Sequence, residues 1–365
     1  MSNKRHPLMP DETIHKILIS TTSRLIGSYE NDDILISHAW QHFSNSNGLM
    51  REEENPVSRS AFVLAFKTEG YTKAAGVVIP DYSYIGDIVC SLLSVLYGKR
   101  FDSHGLLEGS GFYNTPDLSA YNNICNHKLP FNSHTARRCF NVPLNLEHFK
   151  TLEKLLLTQD IDQEFKSKLY AACKFYTQAI QICETEPEVA YLHLITAGEI
   201  ISGHYSYEQD EVLDAVTLKH LAEIRTHVPN GDKIARHISG RLLSIKKRFI
   251  KSLVSLIGPD FFDQREVSGE FGYFKNDDFE KRVGAAYDLR SKYVHTGSPF
   301  GGWIKPNSRL DDVQLGKPVV PDKEYAKTLA IAPTFTGLER VIRYCLLKFM
   351  SNNGLAELSN IKPET

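Results

Sequence analysis

The clearest helical pattern in this chain reads Leu192-His193-Leu194-Ile195-Thr196-Ala197-Gly198-Glu199-Ile200-Ile201. Together with Val189, its apolar residues form one stripe, and Pro187 stands where a helix accepts proline, in its first turn. The pattern predicts a helix that begins at Pro187 and buries one face.

Similar periodicity covers most of the chain after Pro143. Apolar residues recur at three- and four-residue steps, and a segment rich in glycine and proline, residues 298–321, interrupts them as a loop. This helical periodicity begins near residue 152. The other predicted helices cover residues 165–183, 233–257 and 279–294, and a last helix runs from residue 323 or 333 to 350. Residues 151–365 are therefore predicted to form a mainly α bundle.

Residues 1–150 have a mixed pattern. Ala61–Phe66 and Gly76–Ile79 are short apolar runs typical of neighbouring strands, and one interpretation joins them in a hairpin. Residues 87–96 favour a helix, whereas residues 105–116 have the Gly, Ser and Asn content of a loop. We expect an α+β N-terminal domain here, ahead of the helical domain.

The composition narrows the classes of protein to consider. With 42% hydrophobic and 24% charged residues, the chain is globular, and its net charge of −2 gives no global attraction to nucleic acid. Six dispersed cysteines, a polar N-terminus and the absence of a long apolar run predict a soluble cytoplasmic protein with no membrane segment. Neither a phosphate-binding glycine loop nor a serine-hydrolase motif is present.

The best candidate for a functional site is the segment Tyr287-Asp288-Leu289-Arg290-Ser291-Lys292-Tyr293-Val294-His295-Thr296-Gly297. An arginine and a histidine with four residues between them lie at the end of a predicted helix that stops at glycine. The spacing alone is common by chance, so the order of the surrounding helices must support any interpretation.

That order resembles the HEPN family, and the ApeA-like subgroup in particular. The similarity rests on residues 168–176, 187–188, 192–201, the pair Arg290 and His295, and a closing helix at 340–350. In the subgroup, a pair of small residues is followed by glutamate. Thr196, Ala197 and Glu199 match that pattern, with Gly198 where a larger apolar residue is usual. The resemblance covers residues 160–350.

The resemblance implies a HEPN-like bundle that forms a homodimer and cleaves RNA without a metal or cofactor. Such proteins often act in toxin or antiphage systems, and the candidate partners of this chain include a regulatory protein or an antitoxin. Residues 1–150 would then sense a trigger, select RNA or restrain the nuclease. The residue after the motif arginine is commonly Asn, Asp or His, so Ser291 is a departure that leaves room for an altered site.

The chemistry suits these residues. His295 can take or give a proton near neutral pH, and Arg290 can bind phosphate oxygens through two hydrogen bonds. Glu199 could orient either of them, and Ser291 could donate a hydrogen bond. On an ideal helix, Arg290 and His295 point about 140° apart. They meet at one phosphate only if the helix end is distorted or if two chains share a site.

Structural roles remain open for the same residues. Arg290 could form an ion pair with Asp288 or Glu280, and Glu199 could form a salt bridge inside the bundle. His295 could cap the C-terminal end of its helix, where the helix dipole favours a positive charge. The alternative function is therefore a non-catalytic HEPN-type module that dimerises or binds RNA or protein.

Two further clusters contain residue types that can bind a ligand. Basic residues on one face of the predicted third helix, with Lys292 near the motif, could bind RNA phosphates or form an ordinary solvated face. These candidates are Arg241, Lys247, Arg248, Lys251 and Lys292. A second cluster, Cys125, His127, His134 and Cys139, has zinc-binding residue types, but its spacing matches no standard zinc finger. We favour a loop in which these residues are incidental.

Overall fold

The computed structural model describes residues 8–9, 11–39, 59–70, 76, 78, 80–158, 160–242, 245–267, 269–306 and 309–355. Within these ranges, the side chains of residues 122, 209, 210, 241 and 242 are not described. The chain divides into two compact units. The first comprises Met1–Asp162 with Ser351–Thr365, and the second comprises Gln163–Met350. The sequence-based division falls after residue 150.

The first unit contains an antiparallel sheet and two α-helices. Its elements are β1 (Glu12–Thr21), β2 (Tyr29–Glu30), β3 (Ile34–His38), β4 (Ser60–Glu69), α1 (Ser83–Tyr97), β5 (Phe101–Gly109), β6 (Phe112–Tyr113) and α2 (Glu153–Leu157). The strand order in the sheet is β2-β3-β4-β1-β5-β6. Strand β1 pairs along its full length with β4, from Glu12 opposite Glu69 to Thr21 opposite Ser60. Helix α1 packs on the sheet, and its Gly86 approaches so closely that a Cβ would lie 2.8 Å from the Ile17 side chain.

The first unit contains two of the predicted elements but not the predicted hairpin. The strand at Ala61–Phe66 lies within β4 and the helix at 87–96 lies within α1, so both are confirmed. The proposed hairpin is wrong, because β4 pairs with β1 and β3. Of the second predicted strand, Val77 and Ile79 lie outside the described residues, and Gly76 and Val78 are not in a strand.

The predicted loop at residues 105–116 is also wrong, because β5 and β6 pair as a hairpin there. Its turn consists of Ser110 and Gly111, which both have positive φ angles, 57° and 78°. Such a turn suits the right-handed twist of the flanking strands. Of the residues that suggested a loop, Ser110 and Gly111 form this turn and Asn114 follows β6, whereas Gly105 and Gly109 lie within β5.

Within its described residues, the second unit has helices joined by loops, and one isolated β-bridge pairs Val313 with Pro333. The helices are α3 (Gln163–Ile182), α4 (Pro187–Ser202), α5 (Gln209–Val212), α6 (Ala215–His227), α7 (Gly231–Leu242), α8 (Ile245–Leu256), α9 (Pro259–Asp263), α10 (Asn276–Thr296), α11 (Gly301–Ile304), α12 (Lys323–Ile331) and α13 (Phe335–Asn352). The helix predicted at 233–257 forms as α7 and α8, separated by residues 243–244, which lie outside the described residues. Helix α6 was not predicted.

Helix α13 forms the centre of this unit. From Phe335 to Met350, every residue except Lys348 is buried, so the helix is surrounded on all sides and must bury charged groups as well as apolar ones. The Arg340 guanidinium donates to both carboxylate oxygens of Asp312, at 2.9 and 2.7 Å. Both side chains are almost fully buried, and a third bond from Arg340 reaches the Phe261 carbonyl at 2.9 Å.

Asp312 also connects the backbone around α13. Its carbonyl accepts from the Thr334 amide at 3.0 Å, and its carboxylate accepts from the Phe274 amide at 3.3 Å. A Cβ on Gly337 would lie 2.1 Å from the Asp312 carbonyl oxygen, so only glycine permits this approach.

Among the described helices, none combines the length and the apolar character that a bilayer span requires.

We expect Asp312→Ala to lower the free energy of unfolding by about 3–5 kcal/mol, because it removes the carboxylate that pairs with the buried Arg340 charge. Glu324→Ala is the control, since it removes an ion pair with Lys327 in which both side chains are mostly exposed. Chemical unfolding followed by circular dichroism measures both variants. Equal effects from the two substitutions would contradict a stabilising role for the buried pair.

Candidate active site

Helices α4 and α10 pack together, and one polar cluster lies between them. Glu199, in the last turn of α4, accepts a hydrogen bond from the Tyr287 hydroxyl at 2.8 Å. Its other carboxylate oxygen lies 3.5 Å from Nη2 of Arg290, with side-chain exposures of 29% for Arg290 and 17% for Glu199. The cluster therefore holds the motif arginine partly buried, beside a carboxylate and a phenol.

Regular helix geometry positions Arg290. Asp277 and Asp278 lie in the first turn of helix α10, where their negative charges interact favourably with the positive end of the helix dipole. The helix buries a stripe of residues that includes Phe279 and Leu289. It ends at Gly297, where φ is 66° and the amide donates to the Tyr293 carbonyl at 2.8 Å. The predicted stop at this glycine is confirmed.

The cluster depends on close packing at Gly198. A Cβ at this position would lie 2.5 Å from Cε2 of Phe249 in α8 and 3.1 Å from the Ile342 side chain in α13. The Phe249 ring in turn packs on Tyr287, with ring centroids 5.4 Å apart. Phe249 fills the space that a larger side chain at position 198 would occupy.

Tyr287 is a site residue that sequence reasoning missed. Burial raises its pKa to about 12, and the hydrogen bond to Glu199 and the charge of that carboxylate act in the same direction. The nearby Arg290 charge acts in the opposite direction. At neutral pH the phenol is therefore protonated and remains a donor to Glu199. The available signal was its position three residues before Arg290, on the same helix face.

His295 has different surroundings. It lies exposed in the last turn of α10, and it forms no hydrogen bond or ion pair with any other described residue. Ser291 is partly buried, and within the described part of the chain its hydroxyl has no side-chain partner. The helix continues without distortion to Thr296, so Arg290 and His295 are separated by about 7.5 Å along the axis. The structure brings Arg290 and Glu199 together, but not His295.

The ion pairs around Arg290 show which of its expected structural roles are present. Arg290 pairs with Glu199, whereas Asp288 pairs with Lys246 of α8 at 2.5 Å. The internal salt bridge expected as one role for Glu199 is thus present. It does not exclude a second role, since the separation of 3.5 Å is long and Arg290 keeps other N–H donors for a ligand.

The backbone that follows His295 is held in place. Glu188, in the first turn of α4, accepts from the amides of Phe300 and Gly301 at 3.2 and 2.8 Å. The Tyr325 hydroxyl donates to the Pro299 carbonyl at 3.0 Å. Three helices therefore meet at the end of α10 that carries the histidine.

The predicted RNA-binding residues have several different environments. Lys247 lies 3.7 Å from Asp214, and Lys292 pairs with Asp322 at 2.6 Å. Lys251 is exposed, whereas Arg248 is partly buried, and its Nε atom is buried without a hydrogen-bond partner. The side chain of Arg241 lies outside the described residues.

In the cysteine and histidine cluster, His127 lies close to both Cys125 and His134. Cys125 Sγ lies 3.5 Å from His127 Nε2, and the rings of His127 and His134 are 4.8 Å apart. His127 Nδ1 is within hydrogen-bond distance of the Asn132 carbonyl. Among the described residues, no group of three or more His, Cys, Asp or Glu is arranged to hold a metal ion. All six cysteines are buried, and none of them forms a disulfide bond.

This chain matches no protein-family model, no curated protein and no solved structure in the comparisons with known proteins.

We expect Gly198→Ala to lower the free energy of unfolding by about 1–3 kcal/mol, because the added methyl group overlaps Phe249. Gly240→Ala in α7 is the matched control, since a Cβ there meets nothing within 4 Å, and it should stabilise by about 0.5–1 kcal/mol. Adding Phe249→Leu should recover part of the loss. If both alanines stabilise the protein equally, the close approach at Gly198 does not exist in solution.

Proposed function

We propose that residues 163–350 form a HEPN-type, metal-independent endoribonuclease that acts as a homodimer. The observation that carries the proposal is the arrangement along α10. Arg290 is held by Glu199 beside Tyr287, and His295 is exposed at the held end of the same helix, with no partner among the residues that the structure describes. A positioned cation and an accessible imidazole are the two groups that RNA cleavage without a metal requires.

The proposed reaction is an attack by the ribose 2′-oxygen on the adjacent phosphorus. One His295 imidazole removes the 2′-hydroxyl proton, and a second, protonated imidazole gives a proton to the departing 5′-oxygen. Arg290 binds the phosphate oxygens as negative charge develops on them. The products are an RNA end with a 2′,3′-cyclic phosphate and an end with a 5′-hydroxyl.

Glu199 and Tyr287 act in this proposal as positioning residues. Tyr287 occupies one carboxylate oxygen of Glu199, which leaves the other oxygen to orient the Arg290 guanidinium. The 29% exposure of Arg290 leaves part of the guanidinium open to a phosphate. An arginine held in this way loses less side-chain entropy when it binds substrate.

Dimerisation follows from helix geometry. Each chain offers one His295, whereas the reaction uses an acid and a base. Because α10 is regular between Arg290 and His295, the two side chains of one chain point about 140° apart. A two-fold axis near the end of α10 would place the arginine of one chain beside the histidine of the other.

The first unit would select RNA, sense a trigger or restrain the nuclease. A toxin or antiphage setting in the cytoplasm, with a regulatory partner, fits a nuclease of this type. The second candidate function is a non-catalytic dimerisation or binding module. It is favoured by the Arg290–Glu199 ion pair, which can serve structure alone, and by Ser291 after the motif arginine.

We expect the purified protein to cleave total RNA in the presence of EDTA and to leave 2′,3′-cyclic phosphate ends. His295→Ala should reduce cleavage at least about 100-fold, the scale of one general acid or base. His227→Ala is the matched control, because His227 is also an exposed histidine in the last turn of a helix. Equal cleavage by the two variants would refute the role of His295.

We also expect His295→Ala to inactivate a wild-type partner chain. When wild-type and His295→Ala chains exchange subunits, the mixed dimer keeps only one of the two imidazoles that the reaction uses, so its cleavage should fall about 100-fold below that of the wild-type dimer. Size-exclusion chromatography with light scattering verifies the dimer in the same samples. Mixed dimers that keep half of the wild-type activity would show that the two histidines do not act in one shared site.

A further inference from the structure

Helices α6 and α7 form a hairpin that packs mainly on itself. The turn between the two helices is tight, because a Cβ on Gly231 would lie 2.1 Å from the Ile224 carbonyl oxygen. Most residues of both helices are exposed. The hairpin has a small core of its own, which consists of Leu213, Leu221 and Ala235, with Leu218, Ile224 and Ile238 packed against them. It therefore has a defined shape and a large solvent-facing surface.

The exposed surface of this hairpin is basic. Between Ala215 and Leu242, five residues are Lys or Arg and two are Asp or Glu, although the whole chain has a net charge of −2. Lys233, Arg236 and His237 are exposed on α7 at three- and four-residue spacing, so they share one face, opposite the residues that pack on α6. We call these three residues the basic face.

The cations of the basic face are available to a ligand. Lys233 and Arg236 form no ion pair with any residue that the structure describes. Nε of Arg236 donates to the Asp232 carbonyl of the same helix at 3.3 Å, which leaves its other N–H groups free to donate. Exposed cations that lie close together without acidic partners create a local positive potential, which attracts a polyanion.

The residue types of the hairpin indicate which polyanion fits. No Phe, Tyr or Trp occurs between residues 215 and 242. Proteins that bind single-stranded RNA commonly stack its bases on aromatic rings. A double-stranded stem keeps its bases stacked inside and offers phosphates and 2′-hydroxyls on its outside. Cations without aromatic rings therefore match the backbone of a stem better than a single strand.

The base of the hairpin lies close to the helix that carries the motif arginine. Lys247, in the first turn of α8, lies 3.7 Å from Asp214, the residue that caps the start of α6. The neighbouring Lys246 pairs with Asp288 of α10 at 2.5 Å. The first turn of α8 is thus linked both to the hairpin and to α10. RNA bound along the hairpin would begin near the candidate active site.

We propose that the basic face binds the phosphate backbone of a double-stranded stem in the RNA substrate. This inference rests on the proposed function, which identifies the polyanion as RNA. Lys233 and Arg236 make the main contacts, and they hold a stem of any sequence because they reach phosphates rather than base edges. The apolar side of α7 packs on α6, so it is not open to insert into a lipid bilayer.

Fluorescence anisotropy with a labelled RNA stem-loop tests the basic face. The full chain carrying His295→Ala is the parent protein, because it should bind the RNA without cutting it. Adding Lys233→Gln and Arg236→Gln should weaken binding about 10- to 30-fold at about 0.1 M salt. The slope of log Kd against log salt should fall by about 2, because each lost phosphate contact releases about one counterion fewer.

Two further variants of the same parent serve as controls. Arg138→Gln with Lys150→Gln removes one exposed arginine and one exposed lysine from the first unit and should leave the affinity and the salt slope unchanged. Lys233→Arg with Arg236→Lys keeps both charges and should bind as the parent does. Equal losses in the neutralised face and in the first-unit control would refute the site, as would a loss in the charge-keeping variant.

A second ligand tests the preference for a stem. An unstructured RNA of the same length should lose less affinity than the stem-loop when the basic face is neutralised, and an equal loss would overturn the assignment to double-stranded RNA. Vesicles containing phosphatidylserine test the other polyanion. If neutralising the face abolishes vesicle binding but leaves RNA binding unchanged, the face binds a membrane and the RNA site is refuted.

The binding result is separate from the result for cleavage. If the wild type does not cleave RNA, stem binding that falls when the basic face is neutralised still supports the site. If the wild type cleaves RNA but neutralising the face leaves stem binding unchanged, the site is refuted and the nuclease is not.

Discussion

The buried ion pair between Arg340 and Asp312 is the constraint on which the helical unit depends. A helix that is enclosed on all sides has no solvent for its charged groups, so each must find a partner inside the protein. Asp312 provides that partner and also accepts hydrogen bonds from the Thr334 amide, just before α13, and from the Phe274 amide, just before α10. At the same end of α13, Tyr191 of α4 donates to the Pro333 carbonyl, and Arg282 of α10 donates to the Ile331 carbonyl. The two helices that carry the candidate site are thus attached near one point.

Close packing and polarity are combined in the candidate site. Gly198 allows Phe249 to approach α4, and Phe249 supports Tyr287, which occupies one oxygen of Glu199. The polar cluster is therefore supported by an apolar interface, and the position of Arg290 depends on side chains from three helices. This explains how an arginine at the edge of a bundle can be held in one orientation although its own ion pair is long.

The sequence predicted what depends on local pattern. Helices α4 and α10 follow from apolar periodicity, and the end of α10 follows from Gly297. Helix α6 escaped prediction because Leu221 is its only buried residue, so its apolar stripe is weak. Longer-range features were also missed. Nothing in the pattern pairs Arg340 with Asp312 or directs Arg248 inward, because both depend on which helices become neighbours in the folded protein.

The anchoring of the segment after α10 has a consequence for the timing of the proposed reaction. An imidazole on a loose loop would reach a substrate only when the backbone swung into place, a motion of nanoseconds to microseconds. Here Glu188 and Tyr325 hold the backbone just beyond the histidine. The search for a reactive geometry is then reduced to rotation about the two side-chain bonds of His295, which takes picoseconds to nanoseconds for an exposed residue.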